Sequence, residues 1–154
     1  MTGATPEQLR SFIGPRADYY LGRWQRLEAS KRPGFNWAAF FFGPYWLLYR
    51  RMYRTFWISL GVIGGITVLL VLATHGDPPR ILDTFVAIAT TVFYGRFGTY
   101  LYYLHTRRKI ALLSLAGEPD AQRLTGAGGV SWLGVLIVLL VNLVVFMPLE
   151  MALR

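Results

Sequence analysis

The side chains that most often carry out chemistry are few in this chain and far apart. The 154 residues include no cysteine and only two histidines, His75 and His105. Without cysteine there is no disulfide, thiolate zinc site or thiol nucleophile. Glu118 and Asp120 have no histidine close in sequence and are interpreted as solvated loop charges rather than an acid–base pair. Residues 126–129, GAGG, lack the lysine and hydroxyl residue of a phosphate-binding loop. We therefore predict no enzyme activity, no catalytic residue, no metal site and no cofactor.

The composition is that of a membrane protein. Hydrophobic residues make up 54% of the chain, charged residues 16%, and the mean hydropathy is +0.38. A soluble domain of ordinary composition has about 25% charged residues. The net charge of +8 is compatible with a nucleic-acid or an anionic membrane partner. Long uncharged runs are not typical of nucleic-acid-binding modules, so we expect membrane lipid and no nucleic acid.

Three apolar runs are long enough to cross a bilayer, at about 55–74, 81–104 and 130–149. The first has 20 residues without a charge, which corresponds to about 30 Å of helix. The second contains Arg96, and the third contains Asn142 as its one strongly polar residue. The sequence therefore predicts an all-α membrane protein with three transmembrane helices.

The distribution of basic residues predicts the orientation. Thirteen of them flank the runs on one side: Arg10, Arg16, Arg23, Arg26, Lys31, Arg32, Arg50, Arg51 and Arg54 before the first, and Arg107, Arg108, Lys109 and Arg123 in the loop 105–129. Only Arg80 and Arg154 fall on the other side. Because basic loops stay in the cytoplasm, we expect a cytoplasmic N-terminus and a basic cytoplasmic loop at 105–129. This topology puts His75 and His105 on opposite sides of the membrane.

The aromatic segment 35–53, FNWAAFFFGPYWLLYRRMY, is expected to lie at the cytoplasmic membrane interface. Residues 35–57 include eleven aromatic residues, and Gly43-Pro44 interrupts the stretch. Residues 35–49 would form only about 22 Å of helix, short of the hydrocarbon core. We expect an in-plane or shallow re-entrant segment, with a fourth span as the alternative. The residues expected to anchor it to lipid are Trp37, Tyr45, Trp46, Tyr49, Arg50, Arg51 and Arg54.

Upstream of this segment the sequence predicts two cytoplasmic amphipathic helices. Thr5, Pro6 and Gln8 have the spacing of a capping box with proline in the first turn. Gly14-Pro15 separates this helix from a second, in which apolar residues recur at helical spacing: Ala17, Tyr20, Leu21, Trp24 and Leu27. We expect that stripe to pack on the protein's own aromatic segment; docking on anionic lipid or on a partner is the alternative.

Small residues mark faces on which helices can pack closely. Gly61 and Gly65 form a G-x-x-x-G pattern on the first run. On the second run small residues recur every four positions: Ala87, Thr91, Gly95 and Thr99. Asn142 on the third run is a candidate for an interhelical hydrogen bond. These faces pack on one another within the chain, on a second copy or on another membrane protein.

Several blocks of the chain resemble a family of small bacterial membrane proteins that is known only as a domain of unknown function. The blocks are FIGPRADYYLGRW, FNWAAFFFGPYWLLYRRMY, YGRFGTYLYYLHTRRKI and GGVSW, and NWAAFFFGPYWLLYRRMY is the most specific part. The resemblance implies a multi-pass protein of the bacterial inner membrane. It implies no activity, substrate, cofactor or catalytic residue.

We expect two regions, a cytoplasmic and interfacial arm at 1–54 and a three-span domain at 55–154. The function that we expect is that of a non-enzymatic accessory or scaffolding component, which binds other membrane proteins and anionic lipid of the cytoplasmic leaflet, or forms a homo-oligomer. The alternative is an oligomeric transporter or channel component that uses Arg96, because an ionisable side chain within a span is costly and often functional. Arg96 can also reach the cytoplasmic surface by extending its side chain.

Overall fold

A computed structural model describes residues 4–30, 34–115 and 117–146, with no side-chain detail for residues 145 and 146. Lys31, Arg32 and Arg154, which entered the charge count, lie outside these ranges. The described residues contain helices and no strand. In chain order the helices are α1 (Pro6–Ile13), α2 (Ala17–Ser30), α3 (Trp37–Phe42), α4 (Pro44–Tyr49), α5 (Tyr53–Ala73), α6 (Arg80–Ser114), α7 (Ala121–Ala127) and α8 (Leu133–Val141), which continues as a π-helix over Asn142–Phe146.

Helices α1 and α2 form as their sequence predicts. The Thr5 hydroxyl accepts a hydrogen bond from the Gln8 backbone N–H, and the Gln8 side chain accepts one from the Thr5 N–H. This reciprocal capping box satisfies two backbone donors that the helix leaves unpaired. Gly14 has a positive φ and ends α1.

The aromatic segment is broken in the middle, as predicted. Asn36 caps α3 by accepting a hydrogen bond from the Ala39 N–H, and Gly43, with φ of 50°, ends α3 and precedes Pro44 at the start of α4. Each of these helices has six residues, which is about 9 Å. The segment therefore does not form the single long helix that a fourth span requires.

Helix α5 is the one described helix that is long and apolar enough to cross a membrane. It corresponds to the first predicted span. Three spans were predicted, and one described helix has the length and composition of a span.

Helix α6 differs from the predicted second span in length and polarity. It has 35 residues, about 52 Å, and continues ten residues beyond the predicted end at 104. The prediction of a loop over 105–129 is therefore wrong for residues 105–114, which are helical. The helix is longer than the hydrocarbon core of a bilayer, which is about 30 Å thick.

The third predicted span is only partly described. Its apolar helix comprises Leu133–Val144 and is shorter than a span needs. Residues 147–149 of the predicted run lie outside the described residues.

The core forms where α1 to α4 pack against the C-terminal half of α6. The α6 side of this core is a stripe in which every fourth residue is buried: Tyr94, Gly98, Tyr102, Thr106 and Ile110. The α2 stripe also faces inward, with Ala17, Tyr20, Trp24 and Leu27 buried. Helix α7 packs against α1. Just after α7, the Gly129 N–H donates to the carbonyl of Phe12, near the C-terminus of α1, at 2.7 Å. The N-terminal arm, defined here as α1 to α4, is thus fixed to α6 along residues 94–110, which include part of the extension.

Candidate functional site

Helix α3 contacts α6 at two glycines, which allow the two backbones to approach closely. The Asn36 backbone N–H donates to the Gly95 carbonyl of α6 at 2.7 Å. A Cβ atom at Gly95 would collide with the Phe35 ring, and one at Gly98 would lie 2.7 Å from the Ala39 Cβ. The aromatic segment is therefore seated directly on α6.

Arg50 lies buried between the arm and α6, with a relative exposure of 3%. It caps the C-terminus of α4. Its guanidinium carbon is 4.5 Å from the ring centre of Tyr20 in α2, 4.9 Å from that of Tyr102 in α6, and 5.8 Å from that of Tyr49. We call these four residues the arginine cage. Three helices that are distant in sequence meet at this single cation.

The electrostatics of the arginine cage are unusual because no carboxylate of the described residues pairs with the cation. The ion pairs of the described residues are Arg10 with Asp18 and Arg107 with Glu28. The Nε of Arg50 also has no hydrogen-bond partner among the described residues. A buried guanidinium keeps its charge, so the tyrosine ring faces supply the stabilisation that an anion would normally give. Burial raises the pKa of Tyr20, and the adjacent Arg50 only partly offsets this. The tyrosine is therefore neutral near pH 7.

Several other polar atoms of the arm and of α6 are buried without a hydrogen-bond partner among the described residues. They are Trp24 Nε1, Asn36 Nδ2, Tyr94 Oη, Thr99 Oγ1, Tyr102 Oη and Thr106 Oγ1. Each such group costs free energy unless it is paired. The described contacts between the arm and α6 thus combine apolar packing, ring contacts and the Arg50 cation with the Asn36–Gly95 and Tyr103–Glu28 hydrogen bonds.

An apolar groove runs between α5 and α6 outside this core. Its volume is about 650 Å³. The α5 wall consists of Thr55, Ile58, Ser59, Val62, Ile63 and Ile66, and the α6 wall of Phe85, Val86, Ala89, Thr90, Phe93, Tyr94 and Leu101. The few polar atoms are hydroxyls, so the groove suits an apolar occupant.

A second cavity, of about 450 Å³, lies between α1, α2 and α6 and is polar. Both ion pairs of the described residues line it, and the Tyr103 hydroxyl donates to Glu28 Oε1 at 2.7 Å. Its charged side chains pair with one another, which favours a structural role in holding the arm on α6.

His105 lies beyond the predicted second span, near the Phe12 ring of α1 at 6.4 Å. Burial, with smaller contributions from Lys109 and Arg108, lowers the pKa of His105 to about 4. The imidazole is therefore neutral at physiological pH. His75 follows α5, at the other end of the α5–α6 hairpin. No group of three or more histidine and acidic side chains in the described ranges could hold a metal ion. The lack of enzyme activity stays a prediction.

The structure divides the predicted lipid anchors into two groups. Trp37 and Arg54 are exposed, and Tyr45, Tyr49 and Arg51 are half-buried. The Arg51 Nη1 donates to the Gly126 carbonyl in the last turn of α7 at 2.6 Å, so it also holds the end of that helix. Trp46 and Arg50 are buried, each 3% exposed, and face the interior rather than lipid. The sequence could not indicate that Trp46 and Arg50 are buried, because the side chains that cover them come from the distant helices α2 and α6.

The small residues predicted for helix packing also fall into two groups, those that pack closely on another helix and those that do not. Gly95 packs closely, but on Phe35 and Phe40 of the arm rather than on another span. Gly61 and Gly65 have no atom within 4 Å of a Cβ built on them. Ala87 is exposed and Thr91 half-buried, and the Asn142 amide donates to the Val138 carbonyl of its own helix at 3.0 Å. The small-residue faces of α5 and α6 therefore do not pack on each other.

Arg96 lies on the exposed side of α6, with its guanidinium carbon 5.8 Å from the Phe97 ring centre. The transport role considered for it stays a prediction. The functional residues that sequence reasoning missed are Tyr20 and Tyr102 as partners of Arg50, and Gly98 as the seat of α3. The four-residue recurrence of Tyr94, Gly98, Tyr102 and Thr106 is the signal that would have identified the buried stripe.

Comparison with known proteins gives one family and no activity. No curated protein and no solved structure matches the chain. A family described as "Protein of unknown function (DUF2628)" matches residues 11–108, which include the arm from the end of α1, all of α5 and most of α6. The match covers well over half of the 154 residues and contains the whole arginine cage. The chain therefore belongs to the DUF2628 family.

Proposed function

We propose that this chain is a multi-pass protein of a bacterial inner membrane, with a cytoplasmic N-terminus, and that it acts as a non-enzymatic accessory or scaffolding component. In this proposal the arm forms a rigid cytoplasmic and interfacial platform on α6. The apolar helices bind other membrane proteins, and basic residues near the membrane surface bind anionic lipid. The observation that carries the proposal is the exposure of α5.

Almost all of α5 is uncovered. Of its 21 residues, only Phe56 is buried. The core helix of a soluble protein would be mostly covered by its own chain. Since large exposed apolar surfaces mark contact with lipid or another protein, α5 is well suited to lie in a bilayer.

Two further segments complete the proposed three-span arrangement. The first 25 residues of α6, up to residue 104, lie antiparallel to α5, and the exposed side of α8 is almost entirely apolar. The thirteen-to-two bias of basic residues supports the orientation. The remainder of α6, beyond residue 104, would extend into the cytoplasm. The arm would lie at the membrane interface, because its contacts with α6 begin at Gly95 and Gly98, before that extension.

Gly61 and Gly65 are the best candidates for the contact with a partner. They lie one helical turn apart on α5, and nothing in the described chain occupies the space beside them. Small residues at this spacing allow two membrane helices to approach closely, where packing rather than hydrophobicity favours association. We therefore propose that the Gly61–Gly65 face receives a helix of another membrane protein.

The test is co-purification of the full chain after gentle detergent extraction, with photo-crosslinking to capture the neighbours. Gly61→Leu and Gly65→Leu should reduce recovery of the crosslinked membrane protein about tenfold, with little change in thermal stability. Val68→Leu, also exposed on α5, is the matched control and should have little effect. Equal recovery from all three variants, or a wild-type chain recovered alone, would contradict the proposal.

A further inference from the structure

We infer that the apolar groove between α5 and α6 is a binding site for a single anionic phospholipid of the cytoplasmic leaflet. The acyl chain would lie along the groove, and Arg54 and Arg96 would hold the phosphate at its cytoplasmic end. The inference rests on the proposed membrane location and specifies a site within it.

The lining of the groove suits an acyl chain. Its walls expose methyl, methylene and aromatic groups with a few hydroxyls. On α5 it extends from Thr55 to Ile66, about 16 Å along the helix axis. On α6 it extends from Phe85 to Leu101, about 24 Å, so both walls are long enough to hold an acyl chain of one leaflet, about 15 Å.

The charge at one end of the groove suits a phosphate. Arg54 precedes Ile58 and Val62 at four-residue spacing, so it lies close to the α5 rim that these residues form. Arg96 follows Ala89 by seven residues and Phe93 by three, so it lies along the α6 rim. Both arginines are exposed. Because the two helices are antiparallel, Arg54 at the start of α5 and Arg96 in the middle of α6 flank the same end.

This end of the groove is also where the arm meets α6. Leu101 and Tyr94 line the groove here, and Tyr94 is part of the buried core. The orientation proposed from the basic residues places the end at the cytoplasmic surface, where phospholipid phosphates lie. A guanidinium binds phosphate oxygens in a bidentate manner, and a nearby anionic leaflet favours each arginine. Two arginines along the rims of an apolar groove, near its cytoplasmic end, therefore match the two parts of an anionic phospholipid.

The test is native mass spectrometry of the full chain in detergent, titrated with phosphatidylglycerol or phosphatidylcholine of identical acyl chains. The wild type should bind one phosphatidylglycerol with preference over phosphatidylcholine. Arg54→Gln and Arg96→Gln should each reduce that preference by about fivefold, since each removes one cation near the headgroup. Arg108→Gln, an exposed arginine further along α6, should leave the preference unchanged. Inorganic phosphate at the same concentration should not displace the lipid.

A second pair of variants tests the groove itself. Ala89→Trp fills it and should abolish the tightly bound lipid, whereas Ala87→Trp, on an exposed α6 position outside the groove, should not. Unchanged phosphatidylglycerol preference in both arginine variants would overturn the inference, as would equal effects of the two tryptophans. If Ala89→Trp instead converts a dimer into a monomer, a helix of a second copy occupies the groove. Topology labelling and the Gly61→Leu assay on these variants show separately whether the proposed function holds.

Discussion

The guanidinium carbon of Arg50 lies 4.9 Å from the centre of the Tyr102 ring, so a cation at the end of α4 rests on an aromatic face of α6. The Tyr20 ring lies at 4.5 Å from the same carbon. Arg50→Ala should reduce the free energy of unfolding by about 2–4 kcal/mol, because it removes two desolvated cation–π contacts and leaves a cavity. Thermal or denaturant unfolding in detergent measures this. Arg54→Ala, which removes an exposed arginine, should change it by less than about 0.5 kcal/mol.

The glycines of α6 lead to a prediction about how the arm is seated. Gly98→Leu should reduce the free energy of unfolding by about 1–3 kcal/mol and increase cleavage of the arm by protease, since the side chain would overlap Ala39. Gly64→Leu, on α5 with open space around it, is the control. Similar protease resistance in Gly98→Leu and wild type would mean that α3 can move away from α6 without loss.

The exposures of two tryptophans predict different contact with lipid. Trp37 is 62% exposed and Trp46 is 3% exposed. In vesicles that contain brominated lipid, Trp37→Phe should remove a large part of the quenchable fluorescence, whereas Trp46→Phe should remove only fluorescence that resists quenching. A loss of quenchable signal in Trp46→Phe would place α4 in lipid rather than in the core.

His105 predicts a dependence of stability on pH. The pKa of His105 is about 4 in the folded chain, whereas an unperturbed imidazole has a pKa of 6.5, so below pH 6.5 the unfolded chain takes up a proton that the folded chain does not. Its contribution to stability should therefore be complete above pH 6.5 and be lost progressively down to pH 4. The midpoint of thermal unfolding, followed in detergent over this range, should fall less steeply in His105→Phe. Identical pH profiles for the two proteins would show that His105 protonates freely in the fold.

The proposed topology can be tested with single cysteines, because the chain has none of its own. In intact cells, cysteines at Ser30 and Glu118 should be shielded from an impermeant thiol reagent, and one at Asp77 should react. All three positions are exposed on the protein surface, so a lack of labelling reports the membrane and not the fold. Reaction at Ser30 in intact cells, before any permeabilisation, would reverse the orientation.

The sequence alone determined the features that depend on neighbours along the chain. The Thr5 capping box, the break at Gly43-Pro44 and the apolar length of α5 are local properties, because turn geometry, helix capping and span length each involve residues a few positions apart. The inward stripe of α2 belongs here too, since its helical spacing specifies a face. Periodicity could not identify what that face meets, and the structure gives α6 and Arg50 as its main partners.

Only the tertiary structure decided which polar residues are inside. Arg50 and Arg54 are alike in sequence, yet one is enclosed by Tyr20 and Tyr102 and the other is exposed, because burial depends on side chains that fold onto the position from distant segments. The same holds for Gly95 and Gly61: one receives Phe35 of the arm, whereas the other meets nothing. The continuation of α6 past residue 104 has the same cause. The arm covers that extension, and its packing stabilises a helix that the sequence suggested was a loop.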